Sequence, residues 1–551
     1  MTESPPSDAV VYAGRWVALV RGKIVSQGET REEAFQSARY TRRKEKVEIR
    51  FMPVMPFNSP LLDLVRAVVP VDAPVYLVGG AVRDAVLGRA THDLDFAAPR
   101  GMKLARKVAD GLSGAYFPLD EAFDTARVIL ENPDGTRDCL DFAGYRGDSL
   151  EADLRGRDFT INAIAMDIHS GEILDPLGGV KDIREKRIRA CSPTSLSDDP
   201  IRILRAVRMA AGFDFSIELQ TRASMKSAVA LLPKISPERV RDELFKILAG
   251  ARPDAAMRAL EMLGVLPGLL PELTELKGVE QSAPHVYDVW THTLAVLRHL
   301  EGILGALAPR YDENKANADL MNGLLVLRLG RYRAQISQHL GTLLNPDRSA
   351  RALLFFAALY HDVSKPQTRT IEEGGRIRFL GHDELGARTA GERGAALRLS
   401  NDELERLRTI IKLHMRVHFH ASRKEAGVEI SRRALYRFFR DSGESGVDLI
   451  LLALADTRAT YDHAMTQDHW AAALDVSRAL LEAWYEKAEE IIRPPQLING
   501  GDLIKEFKQK PGPEIGKLLE AVRETQAAGN LSTRAEALAF VQGWLAKARE
   551  K

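Results

Sequence analysis

Apolar positions recur with two different periods along this chain, and the change from one to the other divides it. Arg15 to Val20 and Ile24 to Gln27 form short strand-like runs around Arg21-Gly22-Lys23, which predicts a hairpin. Thr30-Arg-Glu-Glu33 has the form of a capping box opening a helix to about Arg39, and Val47 to Met52 reads as a third strand. Pro53, Pro56 and Pro60 make a linker. An apolar run from Val75 to Val78 then predicts a buried strand, broken at Gly79-Gly80 and followed by a short amphipathic helix from Ala81 to Leu87. A helix near Met102 to Leu112, with strands around Thr125 to Leu130 and Arg137 to Ala143, continues the α/β alternation. From Ser195 onward the period is helical, interrupted late by Arg493-Pro-Pro and Ile498-Asn-Gly-Gly-Asp502.

The pattern implies a multidomain α+β chain. Its expected parts are a small ββαβ-like unit at 1–53, an α/β head at 54–190, and a helical neck at 191–276. A helical body at 277–460 follows, with an insertion near 303–348, and then a helical tail at 461–551. At 551 residues the chain is too long for one ordinary domain, and 45% apolar with 28% charged residues supports folded cores. A net charge of +1 provides no global positive field, so any nucleic-acid contact must use local patches. Candidates are Arg42-Arg43-Lys44, Arg239 with Arg241, and Arg328, Arg331 and Arg333 around Tyr332; each also fits a solvated face. Two cysteines, Cys139 and Cys191, exclude a disulfide framework and a Cys-based zinc site and fit a reducing cytosol. No apolar run reaches membrane-span length and the N-terminus lacks a signal-peptide core, so a cytoplasmic protein with no membrane partner is expected.

Candidate chemistry concentrates first between residues 76 and 96. Gly79 and Gly80 sit at a helix N-terminus, where free backbone N–H groups and the helix dipole favour phosphate, with Arg83 one turn away. Asp93-Leu-Asp95 places two carboxylates on one strand face, a donor set suited to Mg²⁺ with substrate phosphates. A phosphate cradle and a metal pair in one strand-helix-strand unit are the parts a nucleotidyl transfer needs.

Here the chain resembles the polymerase β-like nucleotidyltransferases, and more closely the class II tRNA nucleotidyltransferases and bacterial poly(A) polymerases. Their first motif, Gly-Gly-x-Val-Arg-Asp followed by Asp-x-Asp, is complete. The resemblance implies a third catalytic carboxylate, supplied by Asp138 or Asp141, of which Asp141 has the better alternation. Arg157-Asp-Phe-Thr-Ile-Asn162 resembles the second motif, with Arg157 on phosphate and Asp158 and Asn162 on the ribose side. The family usually has two adjacent arginines there; this chain has Gly156 before Arg157, leaving Arg155 as the possible substitute. Asp175-Pro-Leu-Gly-Gly-Val-Lys-Asp182 resembles the flexible third motif. Asp198-Asp-Pro-Ile-Arg202 resembles Glu-Asp-x-x-Arg, with Asp198 in place of Glu, which implies base reading by Asp199 and Arg202. Arg205 and Arg208 continue that helix face as nucleotide-binding candidates.

A second constellation comprises His292, His361-Asp362, His382, His414 and Asp456, and resembles the HD domain, a helical metal-dependent phosphohydrolase fold. Imidazole and carboxylate ligands from several helices suit one or two divalent ions, whether Mn, Ni, Mg or Fe. The resemblance as a whole implies transfer of CMP and AMP from CTP and ATP to the 3′ end of tRNA, with Mg²⁺ on Asp93 and Asp95. It leaves open a poly(A) polymerase, an enzyme adding only A or only CC, an HD phosphohydrolase, and a non-catalytic RNA-binding module.

Overall fold

The computed structural model describes residues 15–21, 23–28, 30–42, 45–52, 59–89, 93–132, 136–309, 319–346 and 348–549. Gly22, Arg43, Lys44, Pro53 and Pro56, which enter the expected hairpin, basic cluster and linker, lie outside them. The chain divides into two compact units, Met1–Leu232 and Pro233–Lys551.

The first unit begins with β1 (Arg15–Val20), β2 (Lys23–Gly28) and β3 (Glu48–Met52), paired antiparallel in the order β2-β1-β3. The Arg31–Thr41 helix lies against them with Ala34 and Ala38 buried. Its first turn is closed by the Glu33 N–H, which donates to Thr30 Oγ1 at 3.1 Å.

A seven-stranded sheet follows, made of β4 (Tyr76–Val78), β5 (Leu94–Ala98), β6 (Ala115–Asp120), β7 (Thr125–Glu131), β8 (Arg137–Gly144), β9 (Ala165–Asp167) and β10 (Ile173–Leu174). The order is β10-β9-β4-β5-β8-β7-β6, and only β5 and β8 are parallel. Strand alternation sorts the faces. Leu94 and Phe96, Leu140 and Phe142, and Ala126 and Val128 are all buried, and the Phe96 and Phe142 rings stack at 4.9 Å. The Gly101–Leu112 helix packs on β7 and β8 with Ala105 and Val108 in the core. The intervening positions, Asp95, Asp141 and Arg127, belong to the other face and carry the polar chemistry. After the sheet, the Arg202–Phe213 helix buries Ile203, Leu204, Ala206, Val207 and Met209.

The second unit is mainly helical, although short antiparallel pairs at Leu343–Asn345 with Arg348–Ser349 and at Arg369–Ile371 with Ile377–Phe379 interrupt the helical run expected after Ser195. The Val289–Ala306 and Ser445–Tyr461 helices pack together, and Ala350–Tyr360 is buried at almost every position because it is apolar all round. Ser400 and Glu403 form a reciprocal capping box at the start of Asn401–Leu413. Ile498, Leu503, Leu518, Val522 and Val541 build a separate core for the C-terminal helices, after the Pro-Pro break. Two arginines of the insertion bind acids of this same unit, Arg328 pairing with Asp475 at 2.9 Å and Arg331 with Glu486 at 2.7 Å, while Arg333 donates to the Ala306 carbonyl at 3.3 Å. Tyr332 is buried and donates to Glu486 at 2.7 Å, so Arg328 and Arg331 brace the Gln467–Tyr485 helix and its end. Among the described residues no helix is long and apolar enough to cross a membrane.

Candidate nucleotide and metal sites

The first site grows from one cross-strand row. In register, Asp95 on β5 pairs with Asp141 on β8, and Asp141 pairs with Arg127 on β7. Residues in register share a face, so two carboxylates and a guanidinium stand side by side. Arg127 donates to both Asp141 oxygens, Nε at 2.7 Å and an Nη at 2.8 Å. Burial, together with the negative Asp141, pushes the Asp95 carboxyl up to about 6. A cation beside Asp95 would relieve that repulsion, so the donor set fits a divalent metal. Asp93 is exposed and lies one residue before β5 begins. Asp138, the other candidate for a third carboxylate, pairs opposite Leu130 and accepts from Asn132 at 3.0 Å, away from Asp95 in the register.

Gly79 closes the other side of this pocket. Its φ of +70° is a left-handed conformation, and a Cβ there would stand 3.2 Å from an Arg157 Nη and 3.5 Å from Asp95 Oδ2. The backbone can therefore approach a phosphate where a side chain would intrude. A Cβ on Gly80 would meet an Arg83 Nη at 3.5 Å, so both arginines flank the turn.

The second motif is held from both sides. Arg157 donates twice to the buried Asp153, at 3.1 and 3.0 Å. Asp158 receives Arg205 through Nε at 2.9 Å and an Nη at 2.7 Å, Asn162 Nδ2 at 3.0 Å, and the Phe159 N–H at 2.8 Å. Burial alone would raise the Asp158 carboxyl, but Arg205, Asn162 and the Phe159 amide outweigh it and hold it below the usual range. Asn162 Oδ1 accepts from Arg83 at 2.7 Å. Arg202 donates to the carbonyls of Arg157 and Gly156, each at 3.1 Å, and to Ser195 Oγ at 2.7 Å. In this arrangement its guanidinium holds the second-motif backbone. Asp199, Arg205 and Arg208 are half-buried, and Asp198 is exposed. Arg155 pairs with Glu151 at 2.7 Å with more than half of its side chain exposed, so it does not stand in for the missing neighbour of Arg157.

The second site gathers all six HD candidates into two buried clusters: His292, His361 and Asp456, and Asp362, His382 and His414. His292 Nε2 lies 3.0 Å from Asp456 Oδ1 and 3.7 Å from Asp362 Oδ2, and His382 Nε2 lies 3.2 Å from His414 Nε2. In three histidines Nδ1 contacts a carbonyl three residues earlier: His361 to Ala358 at 2.8 Å, His382 to Phe379 at 2.7 Å and His414 to Ile411 at 2.6 Å. An Nδ1–H donated there leaves Nε2 as the lone-pair donor toward the cluster. His361 Nε2 and both His292 nitrogens are buried without a hydrogen-bond partner of normal geometry, which fits divalent metal. Burial and the nearby His361 and His382 push His414 down to about 3, keeping it a neutral donor.

Besides Arg127, three further residues were not foreseen. Asp153 supports Arg157, and its i,i+4 spacing was the available signal. His418 reaches Asp456 Oδ2 at 2.8 Å, one turn beyond His414. Lys365 Nζ lies 2.6 Å from Asp362 Oδ2 and donates to Gln281 at 2.7 Å, a partner no local spacing could indicate.

Residues 75–189 match the poly A polymerase head domain, 289–459 the HD domain and 463–541 the tRNA nucleotidyltransferase domain 2. An A-adding tRNA nucleotidyltransferase of Deinococcus radiodurans is 34% identical, over 85% of this chain and 95% of that protein. A CC-adding tRNA nucleotidyltransferase of Thermus thermophilus is 32% identical, over 86% of this chain and 94% of that protein. A CCA-adding enzyme solved in complex with ATP superposes with a TM-score of 0.57, covering 89% of this chain and 97% of that one, at 22% identity. That likeness is one of fold.

Proposed function

The chain belongs to the tRNA nucleotidyltransferase family, and from that premise we propose that it transfers CMP and AMP from CTP and ATP to the 3′-hydroxyl of tRNA, completing CCA and releasing pyrophosphate. The observation that carries this reading is the meeting of Asp141, the Gly79-Gly80 turn and Arg157 around Asp95. Asp93 and Asp95 would hold divalent cations, Mg²⁺ in this reading. When bound, they would lower the pKa of the attacking hydroxyl and neutralise charge on the leaving pyrophosphate. The remaining work belongs to the chain. Gly79 and Gly80 cradle the triphosphate through backbone N–H groups, and Arg157 and Arg83 face it from either side. Asp158 accepts from the ribose 2′-hydroxyl, Asn162 orients it, and Arg205 and Arg208 support that face. Asp141, held by Arg127, completes the carboxylate row.

Base choice follows from edge chemistry. Cytosine and adenine both present an amino donor beside a ring-nitrogen acceptor, so the Asp199 carboxylate and the Arg202 guanidinium can take either and reject uracil and guanine. Arg202 would have to exchange a carbonyl for the base to do so. The two free cysteines suit a reducing cytoplasm.

The test is incubation of the protein and Mg²⁺ with tRNA ending before C, after C or after CC, with CTP and ATP separately and together. Growth that stops at CCA supports the reading; no incorporation overturns it. A second reading, addition of only A or only CC, is favoured by the names of the two relatives that match along most of the chain. Incorporation confined to one nucleotide would establish it. The HD clusters support a separate metal-dependent phosphohydrolase activity, read out as phosphate release from phosphomonoesters or as ring opening of 2′,3′-cyclic phosphates to monoesters, either surviving loss of Asp95.

A further inference from the structure

The Arg202–Phe213 helix touches the nucleotide pocket in a pattern that its proposed base-reading end does not require. Arg205, Met209 and Phe213 recur every four residues and so form one stripe. Arg205 grips Asp158 at 2.7 Å, Met209 Sδ accepts from Asn162 Nδ2 at 3.4 Å, and the Phe213 ring lies under the Arg83 guanidinium, 4.6 Å from its centroid. The three partners are themselves in series: Asn162 donates to Asp158 at 3.0 Å and accepts from Arg83 at 2.7 Å. Two parallel chains are thus joined rung by rung, one on the helix and one in the head. Arg89 also stacks on Phe213, at 4.8 Å, so the ring holds two guanidiniums at the far end.

We propose that Met209 and Phe213 are positioning residues for nucleotide selection, setting the distance and angle between the phosphate-binding Arg83 and the base-reading Asp199 and Arg202. The inference rests on the roles given to those three residues above. A helix of twelve residues is a rod about 18 Å long, so slack at Phe213 is felt at its other end. Complementarity to one base edge rejects the wrong base only while sugar and phosphate are held in register with it. The ladder supplies that register.

The experiment compares Phe213→Leu, Phe213→Tyr and Met209→Leu in the full chain. It measures kcat/KM for CTP against UTP on tRNA lacking CCA and ATP against GTP on CC-ended tRNA, with thermal melting of each variant. Phe213→Leu keeps apolar volume but removes the ring face, so the preference for the correct base should fall roughly fivefold or more, the scale of a lost cation–π contact. Melting should change little, since Phe213 is half-exposed. Phe213→Tyr should restore the preference, and Met209→Leu should weaken it less than Phe213→Leu. An equal loss on all four nucleotides with lowered melting would make the ring merely structural and overturn the proposal, as would unchanged preference. A wild-type protein that incorporates nothing overturns the proposed function itself; a selective wild type with an equally selective Phe213→Leu overturns this inference alone.

Discussion

The head and the HD body both bring candidate metal-binding side chains together, but they differ in how many such groups they supply. In the head, Asp93 is exposed, Asp95 is half-buried and Asp141 is already taken by Arg127. In the HD body six candidate ligands are buried, and three histidines are oriented by carbonyl contacts at Nδ1. The contrast separates two kinds of site. A metal that arrives with substrate phosphates needs only one or two protein carboxylates, whereas a resident metal needs its whole shell from the fold. On the proposed reading the head's site would be completed by its substrate, and the HD body's largely by the fold itself.

The comparison breaks most sharply at Asp95. Asp95→Ala should cut nucleotide incorporation by roughly 10³-fold or more, several kcal/mol of lost charge stabilisation, while tRNA binding measured by filter retention stays near wild type. Equal loss of binding would mean that Asp95 holds the fold or the RNA. Next in size is metal retention. After dialysis against a chelator, elemental analysis should find the head's metal gone and the HD metal retained; Asp362→Ala should abolish that retention and leave incorporation intact. Complete loss from the wild type would remove the distinction between the two sites.

Acid should also affect the regions in order. Burial, with Arg458 and Arg298 nearby, pushes His299 of the body down to about 4. The unfolded chain takes up that proton near pH 6.5 and the native one only near 4, so stability falls as pH drops between these values. The Asp158–Arg205 pair of the head is lost in the same direction but at lower pH: its depressed carboxyl contributes fully above the ordinary carboxylate range and is lost only as pH falls through its lowered folded value. Melting followed by tryptophan fluorescence should therefore drop between pH 6.5 and 4, and His299→Gln should flatten the drop; an equal drop in that variant would remove His299 as the cause. The smallest effect is expected at Arg155. Its exposed i,i+4 pair with Glu151 contributes roughly 0.3–0.5 kcal/mol, so Arg155→Ala should change incorporation by less than about twofold. A large loss would return Arg155 to the phosphate site.

Much of this molecule was legible in its residues. The strand, double glycine and helix of the first motif, the strand placing Asp95, the mainly helical period after Ser195 and the residue types of the six HD candidates are local patterns, whereas Asp93 lies one residue before β5. Spacing along one element decides which side chains share a face, and short-range sterics decide where a glycine must turn. Pairing between elements is another matter. That Arg127, fourteen positions before Asp141, would occupy both its oxygens depended on the register of β7 against β8. That Arg202 would hold the backbone of residues 156 and 157, that Arg328 and Arg331 would bind their own unit's acids, and that His418 would take the second oxygen of Asp456 depended on packing. A sequence states which charges exist. Which of them neutralise one another is decided when long-range burial removes water and leaves each buried charge to find a partner.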